Sequence, residues 1–170
     1  MFIDKLIEGI RKYGNPTVAG LDPKLEYIPS FIREKAFGEC GKGFTGAAEA
    51  ILEFNKRLID ALCDIVPAVK PQLAYYEMYG TEGIRAFAET CRYARARGML
   101  VIADGKRNDI GSTAQAYSAA YLGRTDMDGT VLSAFDADAL TVNPYLGIDG
   151  IKPFIDECAS SDKGIFVLVK

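Results

Sequence analysis

Histidine is absent from all 170 residues of the sequence. This absence excludes Ser-His-Asp triads, imidazole general bases and histidine-containing metal sites, so proton transfer has to use carboxylates and lysines. Glycine-rich phosphate loops are missing as well, because no predicted strand is followed by G-x-G-x-x-G or by G-x-x-x-x-G-K-S/T. The usual phosphate-binding turns of open α/β sheets are therefore excluded.

Cysteine is sparse, and its four residues are too far apart in sequence to form a C-x-x-C pair. This spacing disfavours a zinc site or a disulfide framework, and we expect reduced thiols in a cytoplasmic protein. The net charge of −3, without a run of lysine or arginine, argues against a nucleic-acid partner. No apolar stretch is long enough to cross a membrane, and residues 1–14 have the pattern of an amphipathic helix rather than a signal peptide.

The composition is that of one globular domain over residues 1–170. Hydrophobic residues make up 49% of the chain and charged residues 25%, and there is no internal repeat or linker. Residues 25–45, which contain a proline and several glycines, are predicted to be a loop-rich insertion after the first strand.

Short apolar runs typical of buried strands alternate with segments of helical periodicity. We predict strands at residues 17–21, 68–74, 99–103, 138–143 and 164–170. This alternation indicates an α/β fold with a parallel sheet, and both a doubly wound sheet and a (β/α)8 TIM barrel have the pattern. We favour the barrel, because phosphate loops are absent and polar side chains end four consecutive strands. About five of its eight βα units are present.

The polar side chains at these strand ends form the candidate site. They are Asp22, Lys70, Asp104, Lys106 and Asn143. A barrel gathers the carboxyl ends of its strands at one mouth. Asp104 and Lys106 are two positions apart and face the same side if the strand stays extended. Asp109 follows where a helix is predicted to begin, so we expect an amine near two acids.

Each of these residues also has a plain structural interpretation. The D-x-K-x-x-D pattern of residues 104–109 can be a solvated loop, Lys70 a strand-end lysine reaching water, and Asp22 a turn former. Asn108 or Asp109 can cap the next helix. Residues 126–129 (DMDG) resemble part of a calcium loop, but a turn joining two helices is favoured there. The coincidence of the polar groups at one mouth favours a functional site.

Chemistry gives such a cluster a use. A lysine between two carboxylates stays protonated and can deliver a proton to a carbanion as a general acid. A carboxylate that faces a substrate carboxylate repels it, and this repulsion is relieved when carbon dioxide leaves. The cluster therefore suits decarboxylation without a cofactor.

Four segments of the sequence resemble the orotidine 5′-phosphate decarboxylase family, in particular its bacterial subgroup with longer chains. They are residues 20–24 (GLDPK), 69–72 (VKPQ), 103–114 (ADGKRNDIGSTA) and 141–147 (TVNPYLG). The resemblance implies a homodimeric TIM barrel without a metal or organic cofactor. It also implies conversion of orotidine 5′-phosphate to uridine 5′-phosphate (UMP), the final step of de novo pyrimidine biosynthesis.

The resemblance assigns roles to the matching residues. Lys106 would protonate the pyrimidine carbon that loses its carboxylate, and Asp104 would lie against that carboxylate. Lys70 and Asp22 would hold ribose hydroxyls, with Lys70 also pairing within the charged network.

Three further residues complete the implied site. Asp109, as a member of the catalytic network, and Thr113, as a substrate-binding residue, would reach into the partner subunit's site. Asn143, at the end of the fourth strand, would contact the substrate. The residues that hold phosphate in this family are expected beyond residue 170.

Two alternatives to this function remain open. A related sugar-phosphate decarboxylase or synthase on the same barrel would use a similar acid-lysine-acid array with magnesium. An inactive fragment, or one that associates with a second polypeptide carrying the remaining strands, is the other alternative.

Overall fold

The computed structural model describes residues 1–169 and contains seven strands and seven α-helices in that range. The strands are β1 (Val18–Leu21), β2 (Ala68–Pro71), β3 (Leu100–Arg107), β4 (Thr125–Met127), β5 (Thr130–Leu132), β6 (Ala139–Val142) and β7 (Gly164–Val167). The helices are α1 (Phe2–Tyr13), α2 (Ser30–Cys40), α3 (Phe44–Leu62), α4 (Ala74–Glu77), α5 (Gly80–Ala96), α6 (Gly111–Tyr121) and α7 (Ile148–Ser161). The predicted alternation of strands and helices is confirmed.

Five of the strands form one parallel sheet in the order β1-β2-β3-β6-β7. Along the chain, each strand of this sheet pairs with the preceding strand of the same sheet, and the sheet always grows on the same side. A doubly wound sheet reverses its direction of growth at a switch point, whereas the wall of a barrel grows in one direction only. The strand order therefore supports the barrel over the doubly wound sheet.

One face of the sheet packs against helices to form the main core. Side chains at alternate strand positions, including Val69, Val101 and Leu140, lie in this core with the apolar faces of the helices. Helix α3 packs on α5, and α6 packs on α7. The opposite face of the sheet, which we call the inner face, carries the intervening side chains.

Helix α1 covers the amino half of the inner face. Phe2 is buried there against Ala68, Ile102 and Ala139, one side chain from each of three neighbouring strands. The predicted amphipathic helix at residues 1–14 is confirmed, and it ends at Gly14, which has a left-handed φ of 60°. Because side chains of a strand alternate, the polar residues two positions further along each strand lie on the same inner face.

The segment 25–45 differs from the predicted loop-rich insertion. It contains a short 3-10 helix (Leu25–Tyr27) and the 11-residue helix α2. Ile32 and Ala36, four positions apart, are buried, and α2 packs on α3. This i, i+4 spacing places both side chains on one face of α2.

Residues 126–129 lie in a β-hairpin, as the end of its first strand and its two-residue turn, so the prediction of a helix-joining turn is wrong. Strands β4 and β5 pair antiparallel around Asp128 and Gly129, whose φ angles are 54° and 89°. Asp-Gly favours such two-residue hairpin turns because both positions need positive φ. The Asp126 carboxylate accepts a hydrogen bond from the Gly129 backbone N–H at 2.7 Å, which gives this acid a role in the turn.

Three strand ends differ from the prediction by three residues or more, and one of them is the end of β2 at Pro71 instead of residue 74. Strand β3 continues to Arg107 instead of ending at Ala103, and β7 ends at Val167. Lys170, placed in the last predicted strand, lies outside the described residues. None of the helices within residues 1–169 combines the length and the apolar character that a membrane span requires.

Candidate active site

A single buried carboxylate lies at the centre of the polar half of the inner face. The Asp104 side chain, 8% exposed, accepts hydrogen bonds at both oxygens. Lys70 Nζ (2.7 Å) and Gln72 Nε2 (2.9 Å) donate to Oδ2. Lys106 Nζ (2.6 Å) and Thr141 Oγ1 (2.8 Å) donate to Oδ1. We call these five residues, which come from β2, β3 and β6 and the position just after β2, the carboxylate cluster.

The hydrogen bonds hold Asp104 in its ionised form. Burial alone would raise the pKa of this carboxyl, but the donors Lys106, Lys70 and Thr141 outweigh it and lower the pKa from 3.8 to about 2. Two ammonium groups therefore surround one carboxylate, and the cluster carries an excess positive charge. Such a group can attract an anionic ligand and supply a proton from a lysine.

The main chain brings Lys106 into the cluster by an irregularity in β3. Ala103 pairs with Leu140 and Arg107 with Val142, so three residues of β3 lie opposite the single residue Thr141 of β6. Lys106 takes a left-handed φ of 49° in this bulge, a conformation that costs an L residue about 1 kcal/mol. The bulge turns the lysine so that its ammonium group meets Asp104.

Asp109 and Thr113 lie apart from the cluster. Helix α6 begins at Gly111, so Asp109 precedes it, and Ile110 is its N-cap without a side-chain hydrogen bond. Capping of this helix by Asn108 or Asp109 is therefore wrong. Within residues 1–169 the Asp109 carboxylate accepts a hydrogen bond only from the adjacent Ile110 N–H, and Thr113 is exposed.

Asp22 and Asn143 lie at the predicted strand ends, outside the hydrogen bonds to Asp104. Asp22 is exposed directly after β1, and its backbone carbonyl accepts a hydrogen bond from the Lys24 N–H at 2.9 Å. The Asn143 Oδ1 accepts a hydrogen bond from the Tyr145 N–H at 3.0 Å. Both side chains follow strands adjoining the cluster, at the same edge of the sheet.

Sequence reasoning missed Gln72 and Thr141. Each has a signal that could have found it, because both are polar and both have the strand parity of a predicted site residue. Gln72 is two positions after Lys70, and Thr141 is two positions before Asn143. Thr141 is also a polar residue inside the otherwise apolar strand β6.

Nothing in residues 1–169 gathers three or more cysteine, aspartate or glutamate side chains closely enough to hold a metal ion. The oxygens of Asp104 already have four donors, two of them cationic. A divalent cation at this carboxylate would have to displace ammonium groups that repel it. The cluster is therefore suited to an anionic ligand rather than to a metal.

Comparison with known proteins agrees with the fold and with the motifs. Residues 19–170 match the model of the orotidine 5′-phosphate decarboxylase / HUMPS family. The chain is 42% identical over 169 residues to an orotidine 5′-phosphate decarboxylase of Caldicellulosiruptor saccharolyticus, covering 99% of this chain and 55% of that protein. It is 44% identical to an enzyme of the same name from Rhodopirellula baltica, covering 99% of this chain and 54% of that protein.

A solved structure shares the architecture. An OMP decarboxylase of Leishmania donovani superposes with a TM-score of 0.70 at 33% identity, covering 99% of this chain and 53% of that chain. The chain thus spans about half the length of the relatives that it matches. Because the family model covers most of the sequence, the chain belongs to the orotidine 5′-phosphate decarboxylase / HUMPS family, whose TIM-barrel fold its five parallel strands share.

Proposed function

We propose that this protein decarboxylates orotidine 5′-phosphate to uridine 5′-phosphate without a cofactor. The observation that carries the proposal is the contact of one buried carboxylate with two ammonium groups, those of Lys70 and Lys106, at the carboxyl edge of the sheet. The names of the relatives support the same substrate.

The chemistry follows from the charges of the cluster. The substrate carboxylate would lie against the ionised Asp104 and be repelled by it. When the carbon–carbon bond breaks, carbon dioxide leaves and the electron pair stays on the pyrimidine carbon. The Lys106 ammonium, 46% exposed and 2.6 Å from Asp104, transfers a proton to that carbon and then regains one from water.

The remaining predicted residues would bind the substrate. Lys70, 34% exposed, has room to contact a ligand while it pairs with Asp104, and it would hold a ribose hydroxyl together with Asp22. Asn143 would contact the substrate from the neighbouring strand β6. All three positions open on the same edge of the sheet, which is the edge where barrels bind their substrates.

We further propose a homodimer in which Asp109 and Thr113 contribute to the partner subunit's site. Among residues 1–169 Lys106 forms its ion pair with Asp104 and none with Asp109, which lies two residues before α6, and this supports the arrangement, as does the exposure of Thr113. Exposed apolar side chains nearby, such as Ile110, offer surface for the contact. A cytoplasmic location fits the four free cysteines.

A magnesium-dependent sugar-phosphate enzyme is the competing function, since the family model covers more than one activity. The two ammonium groups on Asp104 argue against it, because they occupy the positions from which oxygen ligands would have to hold the metal. A chelator separates the two functions.

The test is ultraviolet turnover of orotidine 5′-phosphate by the wild type and by Lys106→Ala at equal concentration, each with and without EDTA. We expect wild-type turnover that EDTA does not change, and a loss of about 10³-fold in the variant, because general acids contribute about 10² to 10⁴. Equal activity of both proteins would remove Lys106 from the mechanism. Activity abolished by EDTA and restored by magnesium would favour the competing function.

The second alternative, a chain that is inactive without a second polypeptide, is tested separately. The same assay is repeated after addition of the part of the Caldicellulosiruptor saccharolyticus relative that this chain does not cover. Turnover only in the mixture would show that the residues beyond this chain are required. Absence of turnover in every arm would reject the proposed activity for these 170 residues.

A further inference from the structure

The main-chain N–H of Lys106 has left the β-ladder. Three residues of β3 lie opposite Thr141 alone, so the bulge leaves this N–H without a main-chain partner on β6. It donates instead to the Thr141 hydroxyl oxygen at 2.9 Å. A side chain thus takes the place of a ladder carbonyl at the residue with the left-handed φ of 49°.

The same hydroxyl also contacts the acid of the cluster. Thr141 Oγ1 donates its own hydrogen to Asp104 Oδ1 at 2.8 Å, the oxygen that Lys106 Nζ contacts at 2.6 Å. The hydrogen bonds therefore close a ring from the Lys106 N–H through Thr141 and Asp104 to the Lys106 ammonium group. Thr141 is 8% exposed, so water does not compete freely for these bonds.

We propose that Thr141 is a positioning residue for Lys106: its hydroxyl fixes the left-handed main chain of the lysine and the carboxylate that its ammonium group contacts. The proposal rests on the proposed decarboxylation, since it concerns the group that delivers the proton there. A displacement of a reacting group by about 1 Å is enough to cost about 10²-fold in rate.

Gln72 provides the matched comparison inside the cluster. It donates to Asp104 Oδ2 at 2.9 Å, on the oxygen that Lys70 contacts, and makes no hydrogen bond to Lys106 among the described residues. Gln72→Leu therefore removes one donor from the acid and leaves the ring through Thr141 in place. Thr90 provides a comparison outside the site, because its buried hydroxyl accepts a hydrogen bond from Asn55 between α3 and α5.

The first measurement is hydrogen exchange at the Lys106 amide, which needs no turnover. We expect exchange to be at least tenfold faster in Thr141→Val, which keeps the shape of threonine but lacks the hydroxyl, and close to wild type in Thr141→Ser. Gln72→Leu and Thr90→Val should leave this amide protected. Unchanged protection of the Lys106 amide in Thr141→Val would overturn the proposal, whether or not the protein turns over orotidine 5′-phosphate.

The second measurement is the kinetic effect on whichever preparation is active. We expect kcat to fall about 10²-fold in Thr141→Val with little change in KM, to recover within about threefold in Thr141→Ser, and to fall less than tenfold in Gln72→Leu. Equal losses in Thr141→Val and Thr90→Val would assign the effect to general destabilisation and overturn the positioning role. Wild-type protein without turnover would reject the proposed function instead, and the amide measurement would still decide the role of Thr141.

Discussion

Charged side chains gather at both ends of the parallel sheet, and the two groups differ in composition. At the amino end, Arg95, Asp136, Asp138 and Lys163 form ion pairs, and we call them the amino-end cluster. Two cations meet two acids there, so the charges cancel. At the carboxyl end, two lysines share the one acid of the carboxylate cluster. Only the second group has charge to spare for a ligand.

The two clusters also differ in what their acids hold. Asp138 accepts hydrogen bonds from Arg95 Nη1 at 2.8 Å and from the Val101 main-chain N–H at 2.9 Å, and Arg95 donates to the Asp136 carbonyl at 2.9 Å. These bonds tie α5 and the start of β6 to β3. Asp104 instead holds the side chains of two lysines. The amino-end cluster therefore stabilises the fold, and the carboxylate cluster presents reactive groups.

The larger cavity does not lie at the carboxylate cluster, although that cluster presents the reactive groups. A cavity of about 530 Å³ lies beside the amino-end cluster, where Arg95, Asp136, Asp138 and Lys163 are part of its lining. Its size would make it the first place to look for a ligand. At this end, however, Arg95, Asp136, Asp138 and Lys163 are already engaged in ion pairs with one another, and barrels use this end of the sheet for stability. The carboxyl end therefore remains the candidate site.

Replacing one lysine in each cluster is the sharpest way to separate the two roles. Lys70→Met should lower kcat/KM by about 10² to 10³-fold, because it removes one of the two positive groups from the site and leaves the fold intact. Lys163→Met, which removes a 10%-exposed lysine paired with Asp136 at 2.7 Å, should lower stability and leave the activity of the folded protein within about twofold. Steady-state kinetics of both variants measure the effect on activity, and urea unfolding measures the effect on stability. A loss of activity in Lys163→Met as large as in Lys70→Met would contradict the separate roles of the two clusters.

Removing Asp138, one of the two acids of the amino-end cluster, should have the largest effect on stability. Asp138→Ala leaves Arg95 without its shortest ion pair and the Val101 N–H without its acceptor, so we expect a loss of about 3 kcal/mol in the free energy of unfolding. The control is Asp156→Ala, which breaks the exposed pair with Lys152 and should change stability by less than about 0.5 kcal/mol. Equal losses in the two variants, measured by urea unfolding, would contradict a structural role for Asp138.

The architecture could be predicted from the sequence because it depends on two local patterns. Apolar strands and amphipathic helices alternate, and charged residues follow the strands directly. The end of β3 could not be predicted from the same signals, because the segment 104–107 is rich in charge and is typical of a loop. It stays in the sheet because Asp104 is held by Lys70 of β2 and Thr141 of β6, and Lys106 in turn pairs with Asp104.

Long-range partners explain what else was missed. Lys70, Asp104 and Lys106 could be grouped from the sequence because all three are charged residues at strand ends, which a barrel gathers at one mouth. Gln72 and Thr141 are uncharged, so strand parity was their only signal in the sequence. Their contacts with Asp104 also depend on the register between strands that are more than 30 residues apart in sequence. Helix α2 and the β4–β5 hairpin were obscured by glycine, which breaks some elements and supplies the positive φ that others need.

The smallest expected effect is the change in the free energy of unfolding when Asp104 is protonated in acid. It tests whether the carboxylate cluster contributes to stability. The pKa of Asp104 is lowered from 3.8 to about 2 because, although burial opposes ionisation, its hydrogen bonds to Lys106 and Lys70 favour it. A lowered pKa stabilises the fold above the unfolded value, so this contribution is complete above about pH 4 and is lost as the pH falls toward 2. It amounts to roughly 2 kcal/mol.

The measurement is the free energy of unfolding of the wild type and of Asp104→Asn at several pH values between 5 and 2. We expect a shallower acid-side decline in the variant, because asparagine has no proton to gain. Asp162→Asn is the control, since the pKa of Asp162 is also lowered, by hydrogen bonds from Lys5 and the N-terminus, but at an exposed site. If the free energy of unfolding of Asp104→Asn fell with pH as steeply as that of the wild type, the ion pairs of Asp104 with the two lysines would not stabilise the folded state. The carboxylate cluster would then differ from the amino-end cluster in composition only.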